Sequence, residues 1–434
     1  MHPRLGGITI LLPPGRIRLP KILPAGLLLS AMLRFTTAGE SHGAALVSIL
    51  EGMPAGVPLL AADVDAELAR RQAGYGRGRR MQIESDRVEL LSGVRAGETI
   101  GSPIAMLVRN HDWRNWQDIM SPAPVAGESE PPGGRKRAVT RPRPGHADLA
   151  GMLKYDRSDA RDILERASAR ETAARVAAGA VCRVLLAKLD VSIGSHVVEL
   201  GDVVARAPDS LPPDLNAVAD TSPLRTLDSD AEGRMIALID EAKRSGDTLG
   251  GICQVVVTGL PVGLGSHVSW DRKLDGRLGA VLMSIPAVKG VEIGMGFQAA
   301  RLHGSRVHDE IDPAEDAVTR GRLRRRSNNA GGLEGGMTTG EPLLLRVAMK
   351  PISTLMRPLA SVEMSTRASA ASTVERSDVA AVPAMGVIAE AMVAFVLADA
   401  MLEKFGGDSL GEILRNRQGY LRYLAERDTG RDAE

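Results

Sequence analysis

Hydrophobic spacing along the chain predicts a small number of long helices. Residues 384–404 are apolar around most of the helical circumference, which is typical of a helix buried on several sides. Residues 159–189 carry an apolar stripe at helical spacing beside a polar one, so we expect one continuous helix there. A shorter amphipathic helix is predicted over residues 62–71, with Asp63 placed to cap it.

Short apolar runs bounded by turn residues predict the strands. The predicted strands cover residues 46–50 (a buried strand), 88–91, 104–108, 251–258, 292–296 and 342–349. Strands and helices do not alternate regularly and the strands are expected to be mostly antiparallel, so the pattern favours an α+β fold. No Gly-x-Gly-x-x-Gly sequence opens a helix after a strand, which argues against a Rossmann cofactor domain.

The pattern divides the chain into three parts of unequal length. Residues 1–31 contain several prolines and no periodicity, and we interpret them as a disordered or misassigned leader, with a weak likeness to a signal peptide as the alternative. Residues 32–409 are expected to form a single domain. Residues 410–434 are predicted to be helical at first and then frayed. Within the domain, residues 118–140 are rich in Pro, Gly and charge, which indicates a mobile excursion.

Composition narrows the classes of function. The formal net charge is +1 and aromatic residues make up 3%, so neither a basic field nor stacking platforms indicate nucleic-acid binding. The two cysteines, Cys182 and Cys253, predict neither a disulfide framework nor a zinc site. No apolar run reaches the roughly 18 to 20 residues that span a bilayer. We therefore expect a cytoplasmic protein that binds no metal, membrane or nucleic acid.

Two glycine-bounded histidines are candidates for acid–base chemistry. His42 lies in Gly-Glu-Ser-His-Gly at residues 39–43, and His146 lies in Arg-Pro-Arg-Pro-Gly-His-Ala-Asp at residues 141–148. Glycine leaves room beside an imidazole, and proline stiffens the approach to the second histidine. A histidine can supply a proton near neutral pH. The alternatives are a turn with a surface histidine at the first segment and a linker at the second.

Arginines among glycines predict an anion-binding site, because guanidinium groups bind phosphate and carboxylate in a bidentate manner. Those in and before the sequence Gly-Tyr-Gly-Arg-Gly-Arg-Arg are Arg71, Arg77, Arg79 and Arg80. Arg166 and Arg170 are four residues apart on a predicted helix, so they share a face and favour an anion between them. The alternatives are a solvated basic loop for the first set and Glu171 as the counter-ion for the second.

Glycine-rich and basic segments in the C-terminal half predict a further anion site. Residues 327–340 contain paired glycines, and residues 350–354 read Lys-Pro-Ile-Ser-Thr. Arg376 and Asp378 follow shortly afterwards. Glycine at that density usually lets a ligand approach the backbone closely.

These segments, in this order, resemble the chorismate synthase family across residues 32–409. The matching sequences are GESHG, GYGRG, RPGHAD, RASARETAARVAAG, DTLGG, VKGVEIG, AGGLEGGMTTG, KPIST and RSDVAAVPA. The resemblance implies a β-α-β sandwich, in which long central helices lie between antiparallel sheets, and assembly as a homotetramer. Residues 32–409 would then be the catalytic domain.

The resemblance also implies a reaction and a cofactor. Members of this family are phosphate lyases that convert 5-enolpyruvylshikimate 3-phosphate to chorismate and phosphate by an anti 1,4-elimination, in the shikimate pathway of aromatic amino acid biosynthesis. They require reduced FMN without net redox change, and the electrons come ultimately from NADPH. No nicotinamide domain is evident, so a separate flavin reductase is expected. The alternative is an FMN-poor or inactive homologue that retains the scaffold.

The resemblance assigns roles to individual residues. His42 matches the acid that protonates the departing phosphate, and His146 matches the histidine near the pyrimidine edge of the flavin. Asp378 matches the acid that helps flavin N5 to accept the substrate proton. The matching substrate-binding arginines are Arg71, Arg77, Arg80, Arg143 and Arg170. The matching FMN contacts are Arg166, Ala167, Ser168, Pro286, Ala287, Gly335, Lys350, Pro351, Ile352, Ser353, Thr354 and Arg376.

Two features need interpretation within that resemblance. Arg71 and Arg77 are sometimes recorded as NADP contacts in the family, and we interpret them as ligands of the substrate anion. Pro286 stands where the family usually has Asn or Gln, and proline offers neither a side-chain amide nor a backbone N–H. One flavin hydrogen bond is therefore expected to be missing, which predicts weaker FMN affinity without loss of activity.

Overall fold

The computed structural model describes residues 33–78, 85–124, 138–317, 320–375 and 377–427. The expected leader, the centre of the 118–140 excursion, Arg79, Arg80, Arg376 and the last residues of the tail lie outside these ranges. The helices are α1 (Ala61–Gln72), α2 (Asp148–Tyr155), α3 (Arg161–Ala167), α4 (Thr172–Ala187), α5 (Leu215–Ala219), α6 (Ser229–Ser245), α7 (Leu274–Met283), α8 (Val382–Phe405) and α9 (Leu410–Glu426).

The strands are short and mostly antiparallel. They are β1 (Arg34–Ala38), β2 (Ala45–Glu51), β3 (Val88–Leu90), β4 (Val94–Arg95), β5 (Glu98–Thr99), β6 (Ile104–Arg109), β7 (Ser192–Leu200), β8 (Val203–Val204), β9 (Gly251–Thr258), β10 (Val288–Ile293), β11 (Ile311–Pro313), β12 (Leu323–Arg325), β13 (Leu333–Glu334), β14 (Met337–Thr338), β15 (Leu343–Met349), β16 (Ala360–Val362) and β17 (Ser369–Ala371).

Two antiparallel sheets enclose the long helices. The first has the strand order β1-β2-β6-β3, and the second has the order β10-β15-β9-β7-β8. Helix α4 packs on β2 and β6 of the first sheet, whereas α8 packs on β7 and β9 of the second. Helices α4 and α8 also pack on each other, so the layers run sheet, helices, sheet. The predicted α+β sandwich with central helices is confirmed.

Helix α8 is the buried centre of this sandwich. It is long and apolar enough to span a membrane by length and composition, which the sequence prediction overlooked. However, 94% of its apolar window is buried inside the protein, as expected of a core helix.

Three local predictions need correction. The strand predicted over residues 292–296 lies earlier, at β10 (Val288–Ile293), because Gly294 and Gly296 adopt positive φ and residues 296–301 form a 3-10 helix. The helix predicted over residues 159–189 is broken, because Ser168 adopts an extended ψ of 143° between α3 and a short 3-10 turn that leads into α4. The Ser168 hydroxyl accepts a hydrogen bond from the backbone N–H of Arg170 at 3.3 Å. A serine side chain bonded to the backbone in this way competes with the hydrogen bonds of a helix. The strand at 46–50 is half-buried, since Ile49 is 39% exposed and its neighbours face the core.

Helices α4 and α8 approach each other at a glycine. A Cβ atom on Gly179 would lie 2.5 Å from Cβ of Ala391 and 2.5 Å from its carbonyl oxygen. Real Cβ contacts are never that short, so only glycine at position 179 permits this separation of the two backbones.

A buried carboxylate joins α8 to three neighbouring elements. Glu390 is fully buried, and its oxygens lie 3.0 Å from Arg70 of α1, 2.6 Å from Arg183 of α4 and 3.0 Å from Arg225. The Ser195 hydroxyl of β7 donates to it at 2.6 Å. Burial alone would raise the pKa of Glu390, but the attraction of the three arginines outweighs burial and lowers it from 4.5 to about 2.

We expect Gly179→Ala to destabilise the fold although alanine favours helix formation. The added methyl group has no space against Ala391, and overpacking of this kind typically costs about 1–3 kcal/mol. The free energy of unfolding, measured by urea titration, should fall by that amount.

Gly233→Ala in α6 is the matched control, because its Cβ would meet nothing within 4 Å. It should raise the free energy of unfolding by up to about 1 kcal/mol through helix propensity alone. If both variants changed stability equally, the close approach of α4 and α8 would not be the constraint that we describe.

We expect Glu390→Gln to flatten the acid dependence of stability. The folded-state pKa lies below the unfolded value, so ionised Glu390 stabilises the fold above about pH 4.5, and this contribution is lost as the pH falls toward 2. The shift corresponds to a contribution on the order of 3 kcal/mol.

Urea unfolding of the parent and of Glu390→Gln at several pH values between 7 and 3 measures this loss. The variant should be less stable at pH 7 and lose less stability on acidification. Glu89→Gln, in a surface pair with Arg109, is the control and should follow the parent curve. An unchanged acid slope in Glu390→Gln would contradict the assignment.

Candidate active site

Three helix ends meet at one side of the helical layer. The C-terminal turn of α1 contacts the first residue of α4, since Arg71 Nη1 lies 3.5 Å from Thr172 Oγ1. The chain that leaves α1 passes the start of α8, where Val379 donates its N–H to the Gly76 carbonyl at 2.9 Å. Gly76 has φ +85°, which lets the loop turn against Ala380. The N-terminal ends of α4 and α8 carry partial positive charge, which favours anions here.

Buried arginines share a single carboxylate at this junction. Asp86 accepts from Arg71 Nη2 at 3.0 Å and from Arg170 Nη1 at 2.5 Å, and all three residues are buried. Burial would raise the pKa of Asp86, but the two guanidinium groups outweigh it and lower that pKa. Burial lowers the pKa of Arg71 to about 10. The charge of Asp86 opposes this change, whereas the neighbouring arginines add to it, and Arg71 remains charged at neutral pH.

A third arginine extends this group toward α8. Arg77 Nε lies 3.0 Å from Asp378 Oδ2, and its Nη1 donates to the Arg71 carbonyl at 3.2 Å. The Gly78 N–H donates to Asp378 Oδ1 at 2.6 Å. Arg71, Arg77 and Arg170 therefore face Asp86 and Asp378, which leaves an excess of positive charge among them. Within the part of the chain that the structure describes, Arg71 Nε is buried without a hydrogen-bond partner, which suits an anionic ligand.

His42 is held by a buried carboxylate and an aromatic ring. Its Nδ1 lies 2.8 Å from Glu165 Oε2, and its backbone N–H donates to the same oxygen at 2.9 Å. The ring stacks on Trp116 with centroids 3.7 Å apart and an interplanar angle of 23°. Arg161 Nη1 lies 3.3 Å from Glu165 Oε1. Burial would raise the pKa of Glu165, but the hydrogen bonds from His42 outweigh burial and lower it.

His146 has a similar arrangement. Its Nδ1 is hydrogen-bonded to Asp148, which is completely buried in the first turn of α2. Arg143 Nε donates to Asp148 Oδ2 at 2.8 Å, and Arg143 Nη1 donates to Thr354 Oγ1 at 2.8 Å. Burial would raise the pKa of Asp148, but the hydrogen bonds from His146 and Arg143 hold it well below its usual range. Both histidines thus present Nδ1 to a buried, ionised carboxylate.

The Lys-Pro-Ile-Ser-Thr loop joins the His146 segment to the α8 junction. Lys350 Nζ donates to the Gly145 carbonyl, and a Cβ on Gly145 would lie 3.5 Å from Ser353. On the other side, Thr248 Oγ1 donates to the Ile352 carbonyl at 2.7 Å. The neighbouring Leu249 N–H donates to the Val379 carbonyl at 2.8 Å, next to Asp378. The His42 segment joins the arginines through Ser41, whose hydroxyl lies 3.2 Å from that of Ser168, two residues before Arg170. Hydrogen-bonded contacts therefore connect the two histidine segments, the arginines and this loop.

The remaining predicted cofactor residues do not all contact this set directly. The side chain of Arg166 is bound to the backbone of Thr37 at 2.9 Å, and the Ser168 hydroxyl lies 3.2 Å from that of Ser41. Ala167 is the last residue of α3 between them. The Lys350 N–H donates to the Ala287 carbonyl at 3.0 Å, and Ala287 has φ +68°.

Gly335 is the predicted residue that the structure places apart. It lies in the β13–β14 turn, beside His267 and next to Gly336, whose carbonyl accepts from the first N–H of α7. Pro286 and Ala287 follow the other end of α7. A helix of ten residues is about 15 Å long, so Gly335 lies about one helix length from Pro286 and Ala287. No hydrogen bond among the described residues joins it to the loop at 350–354.

Sequence reasoning missed the carboxylates that hold the site. Asp148 belongs to the recognised RPGHAD sequence, and its place two residues after His146 was an available signal. Glu165 and Asp86 had no such signal, because 123 residues separate Glu165 from His42 and 84 separate Asp86 from Arg170.

The arginines between residues 320 and 326 pair with nearby carboxylates. Within the ranges described, the pairs are Arg320–Glu341, Arg322–Glu315, Arg324–Asp316, Arg325–Glu334 and Arg326–Asp312. Such pairing leaves little free charge for a phosphate backbone. Among the residues that the structure covers, no group of three His, Cys, Asp or Glu side chains could hold a metal ion.

The fold and these side chains define a class of protein: an α+β sandwich whose charged site suits proton transfer on a small polyanionic molecule. A family model described as chorismate synthase matches residues 33–402. The chain belongs to the chorismate synthase family, whose members are carbon–oxygen lyases acting on phosphates.

Individual relatives agree with that assignment. The chorismate synthase of Symbiobacterium thermophilum is 59% identical over 396 residues, which cover 91% of this chain and 100% of that protein. The chorismate synthase of Geobacter sulfurreducens is 55% identical over 396 residues, covering 91% and 99%. A solved structure described as a crystal structure of chorismate synthase matches with a TM-score of 0.72 and 42% identity, covering 91% of this chain and 98% of that chain.

Proposed function

We propose that this chain converts 5-enolpyruvylshikimate 3-phosphate to chorismate and phosphate by an anti 1,4-elimination that requires reduced FMN. The observation that carries the proposal is that three arginines near the N-terminal ends of α4 and α8 are connected, through hydrogen-bonded segments, to two histidines that buried carboxylates hold. In the cell the reaction would belong to the shikimate pathway and aromatic amino acid biosynthesis.

The arginines would bind the substrate, which carries a phosphate and two carboxylates. Arg71, Arg77 and Arg170 supply excess positive charge, and the buried Nε of Arg71 supplies a donor that the described residues leave unused. Anions bind such guanidinium groups through paired hydrogen bonds. Arg143 is already engaged by Asp148 and Thr354, so it would contribute charge beside them. Arg80, outside the described residues, completes the proposed set.

The residues present fit an anionic cofactor. The loop at 350–354 combines an ammonium group with two hydroxyl groups, and it lies against Gly145 and Ala287. Residues 166–168, Pro286, Gly335 and Arg376 complete the proposed FMN contacts, with Gly335 and Arg376 assigned from resemblance alone. Reduced FMN, when bound, would supply an electron-rich ring that lends negative charge to the substrate as phosphate departs and recovers that charge afterwards.

Three side chains would then handle protons and charge. His42 would protonate the departing phosphate, which lowers the charge on the leaving group. His146, held by Asp148, would balance negative charge beside the cofactor. Asp378, fixed by Arg77 and the Gly78 N–H, would assist acceptance of the proton removed from the substrate.

We further propose the setting in which this enzyme works. Residues 32–409 would form the catalytic domain of a cytoplasmic homotetramer. A separate flavin reductase would supply electrons from NADPH, because the described chain contains no Rossmann fingerprint. The second candidate is an FMN-poor or inactive homologue, which Pro286 favours and the intact histidine and arginine contacts oppose.

An anaerobic assay with photoreduced FMN and 5-enolpyruvylshikimate 3-phosphate tests the proposal. Chorismate absorbance should appear without consumption of reductant. Absence of chorismate at saturating reduced FMN would favour the second candidate.

We expect His42→Ala, His146→Ala and Asp378→Ala each to lower turnover by about 10²–10⁴-fold, which is typical of a lost acid–base group. Folding should persist, since the two histidines lie on glycine-bounded loops and Asp378 precedes α8. Anaerobic chorismate formation and circular dichroism measure the two effects.

His303→Ala, on an exposed loop, is the control and should keep the parent turnover. Near-normal rates in both His42→Ala and His146→Ala would show that the catalytic assignment is wrong. Asp378→Ala should in addition impair turnover more than FMN binding.

We expect Pro286→Asn to tighten binding of reduced FMN by about 2- to 13-fold, the equivalent of one hydrogen bond worth about 0.5–1.5 kcal/mol. Anaerobic fluorescence titration measures the dissociation constant. Pro286→Ala provides the control, because it removes the ring without adding an amide, and it should bind FMN more weakly than Pro286→Asn. Equal affinity in the two variants would mean that no flavin hydrogen bond is missing at this position.

A further inference from the structure

Glu165 is a buried carboxylate to which neither the sequence motifs nor the proposed reaction gives a role. Its side chain is 1% exposed and lies at the end of α3, immediately before the break at Ser168. Both of its oxygens lie within hydrogen-bond distance of His42 Nδ1, at 2.9 and 2.8 Å. Its backbone carbonyl also accepts the Ser41 N–H at 2.9 Å. The residue therefore contacts the His42 loop through both its backbone and its side chain.

An ionised carboxylate accepts hydrogen bonds and donates none. The lowered pKa of Glu165 keeps it ionised at neutral pH, so the proton between the two side chains must reside on His42 Nδ1. The Nε2 atom occupies the opposite edge of the ring, and the Trp116 stack at 3.7 Å opposes rotation of the imidazole out of this plane. The orientation and the tautomer of His42 are thus set from outside its own loop.

We propose that Glu165 is a positioning residue that keeps a proton on His42 Nδ1 and directs the other edge of the ring, Nε2, at the leaving phosphate. The proton donor is the imidazolium form of His42, which carries a proton on each ring nitrogen. The proposal rests on the proposed function, in which His42 protonates that group. The Nε2 proton moves to the phosphate oxygen as the C–O bond breaks, and the bonding electron pair leaves with the phosphate. Glu165 takes no proton, since Nδ1 keeps its own. Loss of the Nε2 proton leaves His42 in the neutral Nδ1–H form. His42 then regains a proton at Nε2 from solvent, which gains the proton that the elimination removes from the substrate.

Arg161 and Trp116 support the same arrangement. Arg161 pairs with Glu165 Oε1 at 3.3 Å, which offsets the cost of burying the carboxylate. The same guanidinium lies 5.5 Å from the centroid of a Trp116 ring, so it contacts both groups that hold the imidazole. A second pair, His146 with Asp148 and Arg143, repeats the arrangement of imidazole, buried carboxylate and arginine.

Glu165→Gln tests the proposal with little change in shape. The amide can still accept the His42 backbone N–H, but its NH₂ group can also donate to Nδ1, so the ring is no longer restricted to one tautomer. We expect kcat to fall by about 10- to 100-fold, as for other residues that orient a functional histidine. The substrate KM and the FMN dissociation constant should change less than threefold. Glu165→Asp should recover part of the lost kcat.

Two readouts separate positioning from a purely structural role. In a double-mutant cycle, Glu165→Gln should cause no further loss of kcat in the His42→Ala background, because its effect passes through the imidazole. In ¹⁵N spectra of histidine-labelled protein at alkaline pH, where the imidazole is neutral, the His42 signals, assigned by their loss in His42→Ala, should show one tautomer in the parent and a mixture in Glu165→Gln.

Asp399→Asn is the matched control. Asp399 is also a buried carboxylate paired with an arginine, Arg277, and it accepts the Leu33 N–H at 2.7 Å. Its hydrogen bonds and ion pairs among the described residues involve no histidine, so its substitution should lower stability while leaving kcat and the His42 spectrum unchanged.

Any of three results would overturn the proposal: a kcat of Glu165→Gln equal to that of the parent, additive losses of kcat in the double-mutant cycle, or an unchanged His42 tautomer in Glu165→Gln. Failure of the proposed function has a different outcome, namely that the parent forms no chorismate. In that case the ¹⁵N spectra would still show whether Glu165 fixes the ring of His42.

Discussion

The close approach of α4 and α8 is the constraint on which the rest of the structure depends. Glycine at position 179 lets the helices touch at Ala391, and both helices are rich in buried alanine. That separation lets one layer of helices cover both sheets. It also places the start of α4 beside the start of α8, with the end of α1 between them. The site therefore exists because the core is packed tightly.

Charge is distributed around that core in two ways. Glu390 is surrounded by three arginines and joins α8 to α1 and α4, where its role is structural. At the site, two carboxylates, Asp86 and Asp378, pair with three arginines, which leaves an excess of positive charge. Buried carboxylates also keep the two histidines in place. The same kind of interaction thus stabilises the fold in one location and prepares an anion-binding surface in another.

Much of this could be predicted from the chain itself. Helix α8 and six strands, β2, β3, β6, β9, β10 and β15, follow from hydrophobic spacing, because the spacing of apolar residues matches their burial. Strands β1 and β7 were not predicted. The glycine-bounded histidines and arginines stood out by residue type. The break at Ser168 was missed, since a local serine hydrogen bond overrode an apolar stripe that continues past it. The pairing of His42 with Glu165 was not predictable, because it depends on tertiary packing of α3 against the loop at 39–43.

The central claim is that distant arginines and both histidines surround one substrate and one flavin. A crystal structure of the full chain with FMN and 5-enolpyruvylshikimate 3-phosphate bound tests it most directly. We predict the substrate phosphate within hydrogen-bond distance of the arginine cluster and of His42 Nε2, with the flavin ring beside His146 and Asp378. Ligands bound elsewhere, or these side chains dispersed over separate surfaces, would contradict the account.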